Sequence, residues 1–334
     1  MKKYFSELRQ DLVSGDWILV SPGRFRKVEE MLKKSKKRIQ TPKTRCPFER
    51  PLETVSEKIL LQYPENQKKK WSLLVLENGF PAVRHSDKKV HAHKEGPYAA
   101  LEGAGHHDLL ITRDHHKDFS ALSKERTFEV FQAFRDRYLQ LMTDRNVAYV
   151  SMFHNWGPKA GASVYHPHYQ MIGIPVIPTS VSRSFEGSKI YKKKHGRCAH
   201  CDQIKWEKSE KKRMVGENEY AIAFTPYFSR NPFEIIVIPK AHRPFFENTL
   251  DAELQGVADL LRDVLKLLGK KLHDPDYNFF IHTSPIFEKK KFTHYHWHIE
   301  VYPKLSIRAG FEISTGIEIN VADPDLVAKT LRKK

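Results

Sequence analysis

The chain has 334 residues, 40% hydrophobic and 11% aromatic, enough apolar matter for one large core or two ordinary ones. A balance of 57 Lys+Arg against 40 Asp+Glu gives a formal charge of +17 and points to anionic partners: nucleotides, sugar phosphates or nucleic acid. A disordered or collagen-like chain is excluded, as are a membrane span, since no run of 18 apolar residues occurs, and a disulfide framework, since there are three cysteines.

In chain order, Met1-Lys2-Lys3-Tyr4-Phe5-Ser6-Glu7 carries no apolar leader, and with so few cysteines a reducing, cytoplasmic location is expected. The lysine runs at 33–38, 68–70, 192–194 and 289–291 read as solvated loops. Cys46-Pro47-Phe48-Glu49 and Glu77-Asn78-Gly79-Phe80-Pro81-Ala82 precede an apolar run at 108–112 and then Asp114-His115. Phe128, Phe131, Phe134, Tyr138 and Leu141 recur at helical spacing and read as core. A strand-like run at 147–153 leads into Asn155-Trp156-Gly157-Pro158-Lys159-Ala160-Gly161-Ala162-Ser163, and then His166-Pro167-His168-Tyr169-Gln170. The polar, basic stretch 181–196 reads as a boundary, giving halves 1–185 and 186–334.

The second half repeats these landmarks. Cys198-Ala199-His200-Cys201 is followed by Glu217-Asn218-Glu219-Tyr220-Ala221, an apolar run at 233–238, and Ala241-His242. A helical stripe of Leu254, Val257, Leu261, Val264 and Leu268 precedes Tyr277-Asn278-Phe279-Phe280-Ile281 and His296-Trp297-His298-Ile299-Glu300. His115 and His166 lie 51 residues apart, and His242 and His296 lie 54 apart. The landmarks predict an α+β fold of two related halves, each a mainly antiparallel sheet with packed helices.

Each half carries a candidate metal set. Cys198, Cys201, His242 and His296 supply the two thiolates and two imidazoles that suit tetrahedral zinc. The alternative is an inert or redox cysteine pair beside core histidines. In the first half Cys46, Glu49, His115 and His166 correspond, with a harder carboxylate in place of one thiolate. Metal closure ties loops distant in sequence to each sheet, so chelation is expected to destabilise the fold.

The histidine cluster carries the chemistry. In an extended segment His166, His168 and Gln170 share a face. The glycines upstream allow close backbone approach to a ligand, and backbone N–H groups, Ser163 and Lys159 can cradle phosphate oxygens. A neutral imidazole is a good nucleophile near pH 7 and can hold a nucleotidyl group as a phosphoramidate. Gln170 can donate a hydrogen bond to the transferring phosphoryl. The competing reading makes all three a metal-bound or polar core network.

The chain resembles galactose-1-phosphate uridylyltransferase and its relatives in the histidine-triad superfamily over nearly its whole length. The resemblance rests on Leu8-Arg9-Gln10-Asp11, on Trp17-Ile18-Leu19-Val20-Ser21-Pro22-Gly23-Arg24, on Cys46-Pro47-Phe48, Asp114-His115 and the segment 155–170. The second half looks closest to the branch containing ADP-glucose phosphorylase, through segments 278–285 and 309–316 and through Cys198, Cys201, His242 and His296. The resemblance implies two histidine-triad-like halves, Zn(2+), a homodimer and a ping-pong reaction. In it, His168 attacks the α-phosphorus of a nucleoside diphosphate sugar, hexose 1-phosphate leaves, and a second sugar phosphate, or phosphate, takes the nucleotidyl group. It also implies phosphate contacts from Asn155, Gly161, Ser163 and Gln170, an anion contact from Arg24, a nucleoside contact from Asn78 and a hexose contact from Glu312. Lys27 stands where many relatives carry a second arginine and loses its bidentate geometry. Tyr169 stands where many are small, and is expected to narrow the pocket. His298 is the counterpart of His168, but two residues after it stands Glu300, whose charge would repel a phosphate, so no second active centre is expected.

UDP-glucose with hexose 1-phosphate is the leading substrate pair, and ADP-glucose with phosphate is the alternative. A hydrolase, with water as acceptor, is a third. A basic zinc-containing nucleic-acid-binding protein is disfavoured, because no helix-turn-helix, RNA-recognition signature or zinc-finger spacing is present.

Overall fold

The computed structural model describes residues 5–24, 38–65 and 70–333. Short apolar runs separated by turn residues become strands. Strands β1 (Glu7–Gln10) and β2 (Trp17–Val20) pair antiparallel at the start of the chain. Then come β3 (Ile59–Tyr63), β4 (Leu73–Glu77), a peripheral hairpin of β5 (Ala92–Glu95) and β6 (Tyr98–Leu101), β7 (His106–Thr112), β8 (Tyr149–Trp156) and β9 (His168–Ile174). The second half supplies β10 (Met214–Glu217), β11 (Ala221–Phe224), β12 (Ile235–Pro239), β13 (Tyr277–His282) and β14 (His298–Pro303). A last strand, β15 (Glu318–Asn320), pairs parallel with β2, so the start of the chain is fastened to its end.

Ten strands form one continuous antiparallel sheet in the order β10-β11-β12-β14-β13-β8-β9-β7-β4-β3. The first five follow the order β3-β4-β7-β9-β8 from edge to centre, and the second five follow β10-β11-β12-β14-β13. The two sheets expected from sequence therefore meet edge to edge. The seam is β8 against β13, with Asn155 opposite Asn278.

Among the described residues the α-helices, in chain order, are α1 (Pro51–Thr54), α2 (Lys124–Leu141), α3 (Thr179–His195), α4 (Ala199–Glu210), α5 (Asp251–Leu272), α6 (Gly310–Thr315) and α7 (Pro324–Arg332). Both predicted stripes are helical. Ser123 caps α2 by accepting the Arg126 N–H. The apolar faces of α2 and α5 share one core with Leu73, Val75, Leu110, Met152, Tyr169, Phe279 and Ile299 of the sheet. Each fully buried Leu or Val there contributes about 2 kcal/mol. Because strand side chains alternate, the neighbouring residues point to the opposite face, where Cys46, Phe48, Leu74, Leu76, Leu109 and Ile111 form a second cluster. Helices α2 and α5 thus share one face, while on the opposite face Ile204 of α4 packs on Ile222, Phe224, Ile236 and Ile238, and Phe185 of α3 packs on Tyr149.

Several expectations are corrected. The stretch 181–196, read as a boundary, is helical: it forms most of α3, whose C-terminus is closed by Gly196 at φ +75. Its polarity conceals the helix because Phe185 and Ser188 are its only buried residues. The lysines 192–194 are its exposed last turn, where positive charge complements the helix dipole. Lys289 is not in a solvated loop either. It pairs with Glu247 and stacks over the Phe245 ring. The lysines of runs 33–37 and 68–69 lie outside the described residues.

Candidate active site

A cavity of about 510 Å³ opens on the face away from α2 and α5. Asn78, Asn155, Gly161, Ser163, His168 and Gln170 line it together, six of the residues singled out in the sequence. Phe48, Phe80, Leu109, Phe153 and Val164 supply its apolar walls. The sequence analysis missed these. Phe153 was findable, since it precedes Asn155 by two residues in one strand and so shares its face.

His168 opens strand β9 and is buried against Phe48, with ring centroids 4.9 Å apart. Its Nδ1–H donates to the His166 carbonyl at 2.9 Å. The proton is therefore on Nδ1, and the Nε2 lone pair is left for a ligand. Burial pushes the His168 pKa below its usual value, which favours the neutral imidazole. Behind it, His154 Nδ1–H donates to the His168 carbonyl at 2.7 Å and fixes the backbone.

The second half also reaches the site. Asn278 Nδ2 donates to Asn155 Oδ1 at 2.7 Å and to the Ala160 carbonyl at 2.9 Å. With its oxygen taken, Asn155 is left with its NH2 as the free group. Gly161, at φ +89, turns the loop in a conformation that disfavours side chains. Lys159 does not cradle the cavity; its backbone N–H is held by Asp276 Oδ2 at 2.7 Å. Tyr169 is also a correction. It points into the helix-side core and is fully buried, so it does not narrow the pocket. Its one-residue offset from His168 puts it on the other face of the sheet. Glu312 sits in the first turn of α6, where its carboxylate accepts the Ala309 N–H at 3.0 Å, and it does not line the cavity within one chain. The Arg24 side chain and all of Lys27 lie outside the described residues.

Beside the cavity, Cys46, His115 and His166 bring one ligand atom each to within 4.8 Å of one another. Glu49 Oε1 lies 2.8 Å from His115 Nδ1 and 3.6 Å from His166 Nδ1. His115 Nε2–H donates to the Thr41 carbonyl and His166 Nε2–H to the Thr112 carbonyl, both at 2.7 Å. Both Nδ1 lone pairs are thereby turned inward, the outer-shell pattern that orients histidine ligands. His115 Nδ1 and Glu49 Oε1 are buried without a hydrogen-bond partner, so the donor set suits a cation.

The second set is more regular. Cys198, Cys201, His242 and His296 place their four ligand atoms within 4.8 Å of one another. Cys198 and Cys201 sit at the start of α4, and His242 Nε2–H donates to the Thr293 carbonyl at 2.9 Å. Two sulfurs and two imidazole nitrogens in that cage match tetrahedral zinc.

A family model described as a domain of unknown function (DUF4921) matches residues 81–334. The ADP-glucose phosphorylase of Arabidopsis thaliana is 32% identical over 98% of this chain and 92% of its own length. A crystal structure of an ADP-glucose phosphorylase from Arabidopsis thaliana with bound ADP-glucose superposes with a TM-score of 0.83, at 29% identity and 99% coverage of both chains. The chain belongs to the galactose-1-phosphate uridylyltransferase family. Within that family, the galactose-1-phosphate uridylyltransferase of Thermotoga maritima is 25% identical over 98% of each chain. The protein is accordingly an enzyme of the nucleotidyltransferase and phosphorylase type. Among the described residues, no helix is long and apolar enough to cross a membrane.

Proposed function

We propose that His168 carries a nucleotidyl group between a nucleoside diphosphate sugar and a phosphate acceptor, with ADP-glucose as donor and inorganic phosphate as acceptor. The observation that carries the transfer step is the fixed tautomer of His168, whose Nε2 lone pair is left free in a cavity lined by Asn155, Ser163 and Gln170. Nε2 attacks the α-phosphorus, and the bond from that phosphorus to the bridging oxygen breaks. Glucose 1-phosphate leaves with the electron pair. A phosphate oxygen then attacks the same phosphorus, the N–P bond breaks, and ADP is released. Asn155, Gly161, Ser163 and Gln170 hold the phosphoryl oxygens, and Asn78 holds the nucleoside end.

The identity to the Arabidopsis thaliana phosphorylase, 32% against 25% for the Thermotoga maritima uridylyltransferase, supports the adenine nucleotide over the uracil nucleotide. UDP-glucose with hexose 1-phosphate is the second reading, supported by the match to the latter along 98% of both chains. Zn(2+) would be held by Cys198, Cys201, His242 and His296, and by Cys46, Glu49, His115 and His166. It supplies cross-links between loops, and the second cross-link braces the strand that carries His168. A cytoplasmic homodimer completes the reading.

The test is intact-protein mass spectrometry after incubation with ADP-glucose and, separately, UDP-glucose. An AMP adduct on wild type, cleared by phosphate and absent from a folded His168→Ala variant, is expected. An adduct that persists in His168→Ala refutes the assignment of the nucleophile. A UMP adduct cleared by hexose 1-phosphate selects the second reading.

A further inference from the structure

His107 shares the cavity face of β7 with Leu109 and Ile111, and its ring stands between two walls of the site. On one side its Nδ1 accepts the Ala82 N–H at 3.0 Å. The ring proton therefore lies on Nε2. On the other side Nε2 is 3.0 Å from Gln170 Oε1. A protonated nitrogen donates, so the atom of Gln170 facing it must be the oxygen. Asn78 Nδ2 is 3.1 Å from the same Nε2, but a nitrogen that carries the proton cannot accept from it. Asn78 Oδ1 is already taken by the Phe80 N–H at 3.0 Å. The Asn78 N–H in turn donates to the His107 carbonyl at 2.8 Å.

We propose that His107 is a positioning residue for the transfer: it locks the Gln170 amide with its oxygen outward and its NH2 toward the phosphoryl group on His168, and it ties that lock to the 78–82 turn at the nucleoside end. This inference rests on the proposed role of His168. An unheld glutamine amide presents its oxygen and its NH2 to the cavity with comparable ease, and an oxygen there repels a phosphoryl oxygen. The Ala82 N–H sets the tautomer of His107, and His107 sets the orientation of Gln170. The position of the 78–82 turn and the orientation of the Gln170 amide are thus linked through one ring.

The two nitrogens can be tested separately. In His107→Asn the side-chain oxygen can replace Nδ1 and keep the Ala82 contact, while the donor to Gln170 is lost. In His107→Gln the amide nitrogen can replace Nε2 and keep that donor. Rates of adduct formation are measured for both variants, alone and on a Gln170→Leu background. His107→Asn is expected to slow adduct formation about tenfold or more with little change in KM, since it removes orientation rather than binding. His107→Gln is expected to recover most of the wild-type rate. On the Gln170→Leu background, His107→Asn is expected to have no further effect. An additive loss on that background, or a loss confined to KM, overturns the proposal. Because His107→Gln keeps the ring's length and its donor, it separates misfolding from mispositioning. If wild type forms no adduct, the nucleophile reading fails first and this inference falls with it; if wild type forms one and the cycle is additive, this inference alone fails.

Discussion

His154 offers a direct test of the packing behind His168. It is fully buried beside Tyr169, at 4.7 Å between ring centroids, and Phe279, at 5.2 Å. Burial pushes its pKa from 6.5 down to about 3. The unfolded chain therefore binds a proton between these values that the folded chain refuses. Stability is complete above pH 6.5 and is lost as pH falls through the window from 6.5 to 3. Each unit of that window costs about 1.4 kcal/mol, so moving from pH 7.5 to pH 5.0 removes about 2 kcal/mol through this one side chain. The assay is urea unfolding of metal-replete wild type and His154→Gln at both pH values. The variant is less stable at pH 7.5, since it disturbs the core and the hydrogen bond to the His168 carbonyl. Its loss between the two pH values should nonetheless be smaller than that of wild type by about 2 kcal/mol. The metal ligands also titrate, but they are common to both proteins and cancel in the difference. Equal losses would refute the claim that His154 stays neutral in the folded protein.

Removing one ligand from the more regular metal set should show in metal content and in stability. Cys201→Ser is expected to lower zinc per chain by one equivalent in elemental analysis and to lower the melting temperature, and chelator should lower that of wild type. Gly157 stands at φ +86, and a Cβ there would collide with Arg38 and Asp276. Gly157→Ala is expected to destabilise by about 1–3 kcal/mol and to slow adduct formation by shifting the loop that carries Gly161 and Ser163. Unchanged melting and rate would show that this loop tolerates the displacement.

The sequence made local relations legible. His168 and Gln170 are two residues apart in one strand, and strand geometry alone puts them on one face. The grouping of Cys198, Cys201, His242 and His296, and of Cys46, His115 and His166, was legible because these residue types are distinctive and their landmarks recur. Contacts made between strands were not. His107 meets Gln170 across a separation of 63 residues, through a register that no local pattern encodes. Asn278 reaches Asn155 across the seam, a pairing that exists only because two sheets join at β8 and β13. Tyr169 was misjudged because its position was read by its neighbourhood rather than by the pleat. Glu312 had only a motif behind it, and a motif does not say where its helix lies. Helix α3 was missed because its buried face is two residues wide.

The two five-stranded units share a mechanical device and differ in charge. His298 Nδ1–H donates to the His296 carbonyl at 3.0 Å, as His168 does to the His166 carbonyl at 2.9 Å. Phe280 stands opposite Glu300 as Phe153 stands opposite Gln170. The same lock on a histidine tautomer is therefore present twice. Two residues further along the strand the units diverge, Gln170 in the first and Glu300 in the second. Burial alone would raise the Glu300 pKa, but His282 and Arg230 outweigh it and hold the carboxyl ionised, well below its ordinary range. The cavity there is about 230 Å³, and Asp11, Asp16 and Ser184 are among the residues that line it. A fixed carboxylate about 4 Å from an incoming phosphoryl charge opposes it by about 4 kcal/mol at the effective dielectric of a protein site. Glutamine at the matching position of the first unit removes that repulsion and adds a donor. Side-chain amide against carboxylate, at one place in a repeated strand order, supports the proposed assignment of the transfer to the first unit, while in the second Glu300 pairs with Arg230, which also holds Asp11 of the 11–16 turn.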